Sequence, residues 1–145
     1  MEKENINEKI LKNCYKNIQM AILSLNDVLP KTCDPLREEL INQRDGYEEL
    51  LCDASVIMQN RNLELTDVNA MQKTMLSASI GLKTLADDSP SHIAEMVLKG
   101  SVMGLTALIK DLSEYENQLD SDVYEIVEKV KNYEEKCEEQ LKKFL

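Results

Sequence analysis

The sequence predicts an all-α protein, an antiparallel four-helix bundle with an additional helix, in one domain covering residues 1–145. Three observations lead there. The prolines Pro30, Pro35 and Pro90 fall between periodic segments and never inside one, leaving long intervals in which a helix can run unbroken. Apolar residues recur three and four positions apart along each interval, the spacing of one helix face. Strict two-residue alternation, the signature of a half-buried strand, is absent. Short connections between the segments place consecutive helices side by side and antiparallel.

The first helix is expected over roughly Lys3–Leu29. Leu11, Cys14, Ile18, Ala21, Leu25 and Val28 form its stripe, widened by Ile6, Ile10, Ile22 and Leu29. Pro30 ends it, because the residue before proline is pushed out of the helical region. Asp34 and Pro35 read as N-cap and first residue of a second helix reaching Asn60, with Glu38 and Glu39 in the favourable first turn. Leu36, Leu40, Tyr47, Leu51, Ala54 and Met58 share its inner face, and Gln43, Arg44 and Gly46 weaken its middle. Gly46 is either a tolerated helix glycine or the mark of a close helix approach or ligand opening.

Asn60–Leu65 reads as a loop, and Thr66 as N-cap of a third helix ending near Ala86. Its stripe is Val68, Met71, Met75, Ala78, Leu82 and Leu85. Ser89 and Pro90 then give the N-cap and first position of a fourth helix, fading around Tyr115–Asn117. A continuous, kinked third-plus-fourth helix is the alternative. Asp120 or Ser121 caps the last helix, striped by Val123, Ile126, Val130, Tyr133, Cys137, Leu141 and Phe144, with Val127 beside them. Its dense Glu and Lys residues read as a solvated outer face.

His92–Leu112 stands out: between Ile93 and Ile109 only Glu95 and Lys99 are charged. A helix apolar nearly all round is expected to be buried by neighbours on several sides, so this stretch is expected to be the central helix of the bundle. Ala94, Gly100, Ser101, Gly104 and Ala107 keep it thin.

The net charge of −10, with 30% charged residues, disfavours nucleic acid and anionic membrane surfaces as partners. Aromatics make up 4% with no Trp, which leaves little for stacking bases or flat cofactors. The cysteines Cys14, Cys33, Cys52 and Cys137 form no CxxC pair and read as reduced thiols; Cys14, Cys52 and Cys137 are expected in helix cores. The polar start MEKENINEKI is not a signal peptide, and Glu95 and Lys99 interrupt the longest apolar run. A soluble, cytoplasmic protein is the expectation.

An acidic bundle suggests a carboxylate-bridged di-metal centre, which needs two Glu-x-x-His pairs directed inward. The chain has one histidine and no such pair. His92 and Glu95, in the reverse order, are the metal-ligand candidates, and would need a carboxylate such as Glu48 or Glu49. Their ordinary reading is a first-turn polar residue and an i, i+4 pair between Glu95 and Lys99. Gly100, Gly104 and Ala107 form a small-residue helix-packing face. Met71, Met75, Met96 and Met103 read as core filler. Cys33, before a helix N-terminus, is the candidate for thiol chemistry. No GxSxG or phosphate loop is present, so no catalytic residue and no cofactor is assigned.

Ser89-Pro90-Ser91-His92-Ile93-Ala94-Glu95-Met96, followed by Gly100 and Met103-Gly104, resembles uncharacterised bacterial helical-bundle proteins placed near the ferritin-like superfamily. The resemblance implies a ferritin-like architecture. It carries no metal ligand onto this chain, because the di-iron pairs are missing. The expected role is a non-enzymatic bundle acting through protein–protein contacts or self-association, with a degenerate metal or small-ligand binder as the alternative.

Overall fold

The computed structural model describes residues 5–68 and 70–145, without the side chains of residues 70, 71, 82, 83, 85 and 86. Met71, Leu82 and Leu85 of the expected third stripe, and Lys3 at the expected start, therefore lie outside the described residues. The described residues form five helices: α1 Ile6–Val28, α2 Leu36–Asn60, α3 Ala70–Ala86, α4 Pro90–Tyr115 and α5 Ser121–Lys142. Single 3-10 turns follow α1 (Leu29–Lys31) and α4 (Glu116–Gln118), and the described residues contain no strand.

Local chemistry sets the helix ends. Asn5 caps α1 by accepting the Asn7 N–H at 2.8 Å. Pro30 turns the chain into the first 3-10 turn, and the Thr32 hydroxyl donates to the Val28 carbonyl at 2.7 Å, satisfying one of the last carbonyls of α1. Pro90 occupies the first turn of α4, and Ser89 Oγ accepts the His92 N–H at 3.3 Å. The third and fourth helices are thus separate, broken at Asp87–Ser89.

Three ends differ from expectation. α2 starts at Leu36 with no side-chain cap, after a cis Asp34–Pro35 peptide. The segment Leu63–Val68 is irregular, so α3 begins at Ala70 and Thr66 does not cap it. Asp120 holds the N-cap position of α5 without capping by its side chain, which pairs with Arg61 at 2.9 Å.

The packing centre is α1, which touches every other helix; α2 also packs on α5, and α4 on α5. Cross-helix contacts give directions. Along α1, Lys9, Asn13 and Asn17 meet Tyr115, Asp111 and Gly104, in falling order, so α1 and α4 run oppositely. Along α2, Gln43, Asp53 and Arg61 meet Cys137, Lys129 and Asp122, so α2 and α5 do too. Along α1, Gln19, Asp27 and Lys31 meet Asp67, Ser77 and Thr84, so α3 lies beside α1 in the same direction.

The core joins Ile10, Leu11, Cys14 and Ile18 of α1 with Leu36, Leu40 and Met58 of α2 and Val127, Val130 and Leu141 of α5. Here the stripes of α1 and α5 are largely fulfilled, whereas on α3 the expected Met75 and Ala78 are exposed and Ile80 and Thr84 are buried instead. Two further expectations are corrected. His92–Leu112 is not the buried centre: on α4 only Ile93, Ala94, Leu105 and Leu108 are buried, and Met103 is 75% exposed. One apolar side is left open beside Gly100, where a Cβ would meet no atom within 4 Å. Cys52 is exposed, since the inward line of α2 passes through Leu50 and Ala54, one step to either side of the Leu51–Asp53 arc.

Candidate functional site

The open side of α4 is one wall of a groove. α1 supplies the facing wall, Leu76, Ser79 and Ile80 of α3 close one flank, and the floor reaches through to α2 and α5. Its volume is about 780 Å³, inside the range of roughly 300–1,000 Å³ typical of small-molecule sites. The walls are mostly apolar, with Met20, Ala21 and Leu25 on α1 facing Met96, Val97 and Leu108 on α4. Small residues make the space: a Cβ built on Gly100 would meet no atom within 4 Å. Four residues further on the helices close up, because Asn17 Nδ2 donates to the Gly104 carbonyl at 2.8 Å and its side chain lies against the glycine.

The floor is polar. Gln43 and Tyr47 arrive from α2, Ser101 from α4 and Glu134 from α5. Gln43 donates to the Cys137 carbonyl at 3.3 Å and to Glu39 at 3.2 Å. Tyr133 donates to the Gln43 carbonyl at 2.9 Å and meets Tyr47 edge-on at 4.9 Å between ring centres. Gly46 permits this: a Cβ there would run into the Tyr133 ring, so this glycine marks a close helix approach.

Glu134 differs from its neighbours. It is 1% exposed, and its Oε2 is buried with no hydrogen-bond partner among the described residues. Burial, with a smaller contribution from the charge of Glu138, pushes its carboxyl up to about 8, so the group is mainly a neutral acid at pH 7. The hydroxyl and thiols around it are also driven towards their neutral forms. Burial raises Tyr47, and Glu134 adds to the effect. Burial raises Cys14, again with Glu134 next in order, and pushes Cys137 up to about 12. Protonated thiols of this kind are poor nucleophiles.

Sequence reasoning passed over Glu134 by counting it with the solvated face of α5. The signal was nevertheless there: Val127, Val130, Glu134, Cys137 and Leu141 step 3, 4, 3, 4, which sets the carboxyl on the buried line. Gln43 is likewise on the inner line of α2, between Leu40 and Tyr47.

The residues singled out in the sequence are placed as follows. Glu95 is exposed and pairs with Lys99, at the edge of the groove, at 2.9 Å. His92 is half-buried, with Nε2 unpartnered among the described residues. Glu48 and Glu49 are exposed on α2, and no three His, Cys, Asp or Glu side chains converge among the described residues. Gly100, Gly104 and Ala107 all line the groove, and only Gly104 is pressed against α1. Cys33 is exposed in the connection between α1 and α2. Of the methionines expected as core filler, Met75 and Met103 are corrected, being 65% and 75% exposed, whereas Met96 is half-buried against the core and also lines the groove.

The stretch Pro90–Gln118 is apolar enough to cross a membrane by length and composition, with an 18-residue window of mean hydropathy 1.3 that is 22% buried. Part of this helix's open surface lines the groove, at Met96, Val97 and Met103, and part lies outside it, at Val102 and Ile109. Comparison with family models, curated proteins and solved structures returns no match to this chain.

Proposed function

We propose that this protein is a non-enzymatic, cytoplasmic binding protein that holds a small apolar ligand in the groove between α1, α3 and α4. The observation that carries the reading is a groove of about 780 Å³ with apolar walls and a buried, unpartnered carboxyl at its floor. Such a combination of broad apolar contact and one or two placed polar groups suits capture of a small molecule. The elevated thiols and carboxyl suit holding better than bond-making.

Part of the same proposal is a ferritin-like arrangement. α1, α2, α5 and α4 form a closed ring of contacts, and α3 acts as the one long crossover. In that view the space used for metal in ferritin-like enzymes is given over to Gln43, Tyr47 and Glu134.

The test is a fluorescence titration with the neutral probe N-phenyl-1-naphthylamine. Wild type is expected to bind one probe per chain. Gly100→Leu, which fills space that is open in the groove, is expected to abolish binding and keep the thermal midpoint. Equal binding by both proteins would contradict the reading.

A second reading, self-association or docking of another protein, has one observation in its favour. Val102 and Ile109, one heptad apart on α4, are 46% and 42% exposed. Sedimentation velocity on wild type and Val102→Lys/Ile109→Lys tests it: a wild-type dimer dispersed by the double substitution would support it.

A further inference from the structure

Resting on the ligand-binding reading above, we propose that the groove selects amphiphiles with a cationic amine head, and that Glu134 is the residue that receives the ammonium group.

Glu134 is positioned for this by geometry. Its carboxyl lies at the floor of an apolar groove, closed off from solvent, with Oε2 facing no donor among the described residues. A buried acceptor without a donor is costly, and a ligand that brings donors removes that cost. A primary ammonium group brings three donors and the opposite charge.

The surroundings choose between a cation and an anion. On the elements packed about Glu134, α1 presents Cys14, α2 presents Tyr47 and α5 presents Cys137 and Glu138, while Asp111 of α4 acts on Cys14 from the groove wall. None of these is a cation, and two are carboxylates. Among the described residues the α3 flank contributes Leu76, Ser79 and Ile80, with no titratable group. The chain as a whole carries −10. A carboxylate ligand would therefore meet repulsion at the floor. Along the walls lie Lys16, Lys99 and Lys110 together with Glu114, and Lys99 is already paired with Glu95. The apolar walls on either side supply the contact for an alkyl or aryl body.

Binding carries a proton balance. Below pH about 8 the free protein holds Glu134 as the neutral carboxylic acid. When an alkylammonium cation enters, the acid loses its proton to the buffer, and the bound pair is a carboxylate facing an ammonium. One proton is released per ligand bound. Affinity should then rise about tenfold per pH unit up to about pH 8, because the ionised fraction rises by that factor. Cys14, Tyr47 and Cys137, raised by burial, stay protonated throughout that interval. Asp111 and Glu138 are both raised by burial, so D111N and E138Q separate their share from that of Glu134: each is expected to weaken the preference for the cation while keeping the pH slope.

The experiment is isothermal titration of the full chain with n-octylammonium, 1-octanol and octanoate at pH 5.5, 6.5 and 7.5, in two buffers of different ionisation enthalpy. The expected result is one octylammonium per chain, tightening about tenfold per pH unit, with buffer-dependent heat showing the released proton. E134Q is expected to bind octanol like wild type and to lose both the ammonium preference and the pH slope. Octylammonium and octanol of equal affinity at every pH, or octanoate bound more tightly than octylammonium, would overturn the inference while leaving the groove as a ligand site. Binding of none of the three would overturn both.

Discussion

One face of α1 carries Ile10, Leu11, Cys14 and Ile18, all closed off from solvent, and another carries Asn13, Lys16, Asn17 and Met20 along an open groove. The same helix thus faces a filled interior and a cavity. The difference lies in the residues that meet it. Leu36, Leu40 and Met58 of α2 and Val127, Val130 and Leu141 of α5 fill their share of the core. α4 brings Gly100, beside which a Cβ would meet nothing within 4 Å, and Gly104, which is closed off by the Asn17 side chain and so fixes the spacing of the two helices. The three-and-four periodicity predicts helix in both regions; side-chain volume decides which one stays open.

This contrast can be broken by paired substitutions. The largest expected effect is in the filled region. Ile18→Ala, at a fully buried position, should lower unfolding free energy by roughly 2–5 kcal/mol in urea melts. Met103→Ala on the groove side should change it by less than about 0.5 kcal/mol. Comparable losses at both positions would mean the groove is closed in solution.

Next come the two glycines, where one substitution should have opposite signs. Gly46→Ala places a Cβ against the Tyr133 ring and should destabilise by about 1–3 kcal/mol. Gly100→Ala meets nothing within 4 Å and should stabilise by about 0.5–1 kcal/mol through helix propensity. Thermal midpoints of the two variants make the comparison.

Glu134 supplies a pH-dependent test. Its folded value of about 8 lies above the ordinary 4.5, so the folded protein keeps a proton that the unfolded chain has given up between those values. Its stabilising contribution is therefore complete below about pH 4.5, declines as pH rises and is gone above about 8. The slope should be at most about 1.4 kcal/mol per pH unit. The difference between wild type and Glu134→Gln in urea midpoints at pH 5, 6.5 and 8 isolates it from the other carboxyls. A difference that stays flat, or grows with pH, would contradict the placement of this side chain.

The smallest effect concerns the end of the filled region. Arg61 joins α2 to Asp120 and Asp122 at the start of α5, and holds the Asp122 carboxyl below its usual range. The cluster is largely solvated, so Arg61→Ala should cost only about 0.5–1 kcal/mol, less at high salt.

Much of the filled region was legible in the sequence. The heptad lines of α1 and α5 name the core residues, and Ser89-Pro90 marks the start of α4, because spacing and capping are local properties. The groove was not legible for a physical reason. An all-apolar helix with small residues fits two outcomes, close burial or an open wall, and periodicity weighs only polarity. Gly46 and Gly100 look alike in sequence, yet one is filled by Tyr133 and the other opens onto space. Glu134 stood on a readable buried line, but its type matched the charged face beside it. The His92–Glu95 pair drew attention through its chemistry, although Glu95 has a partner on its own helix in Lys99.

The most direct test of the groove as the ligand site uses the seven methionines as reporters. Methyl-labelled methionine spectra would be recorded while N-phenyl-1-naphthylamine is added. Met20, Met96 and Met103 line the groove, and Met58 is sealed in the core. The expected result is saturable shifts of the Met20, Met96 and Met103 methyls with Met58 unmoved. Saturable binding that leaves those three methyls in place, or that moves Met58 as much as the others, would contradict the assignment of the groove.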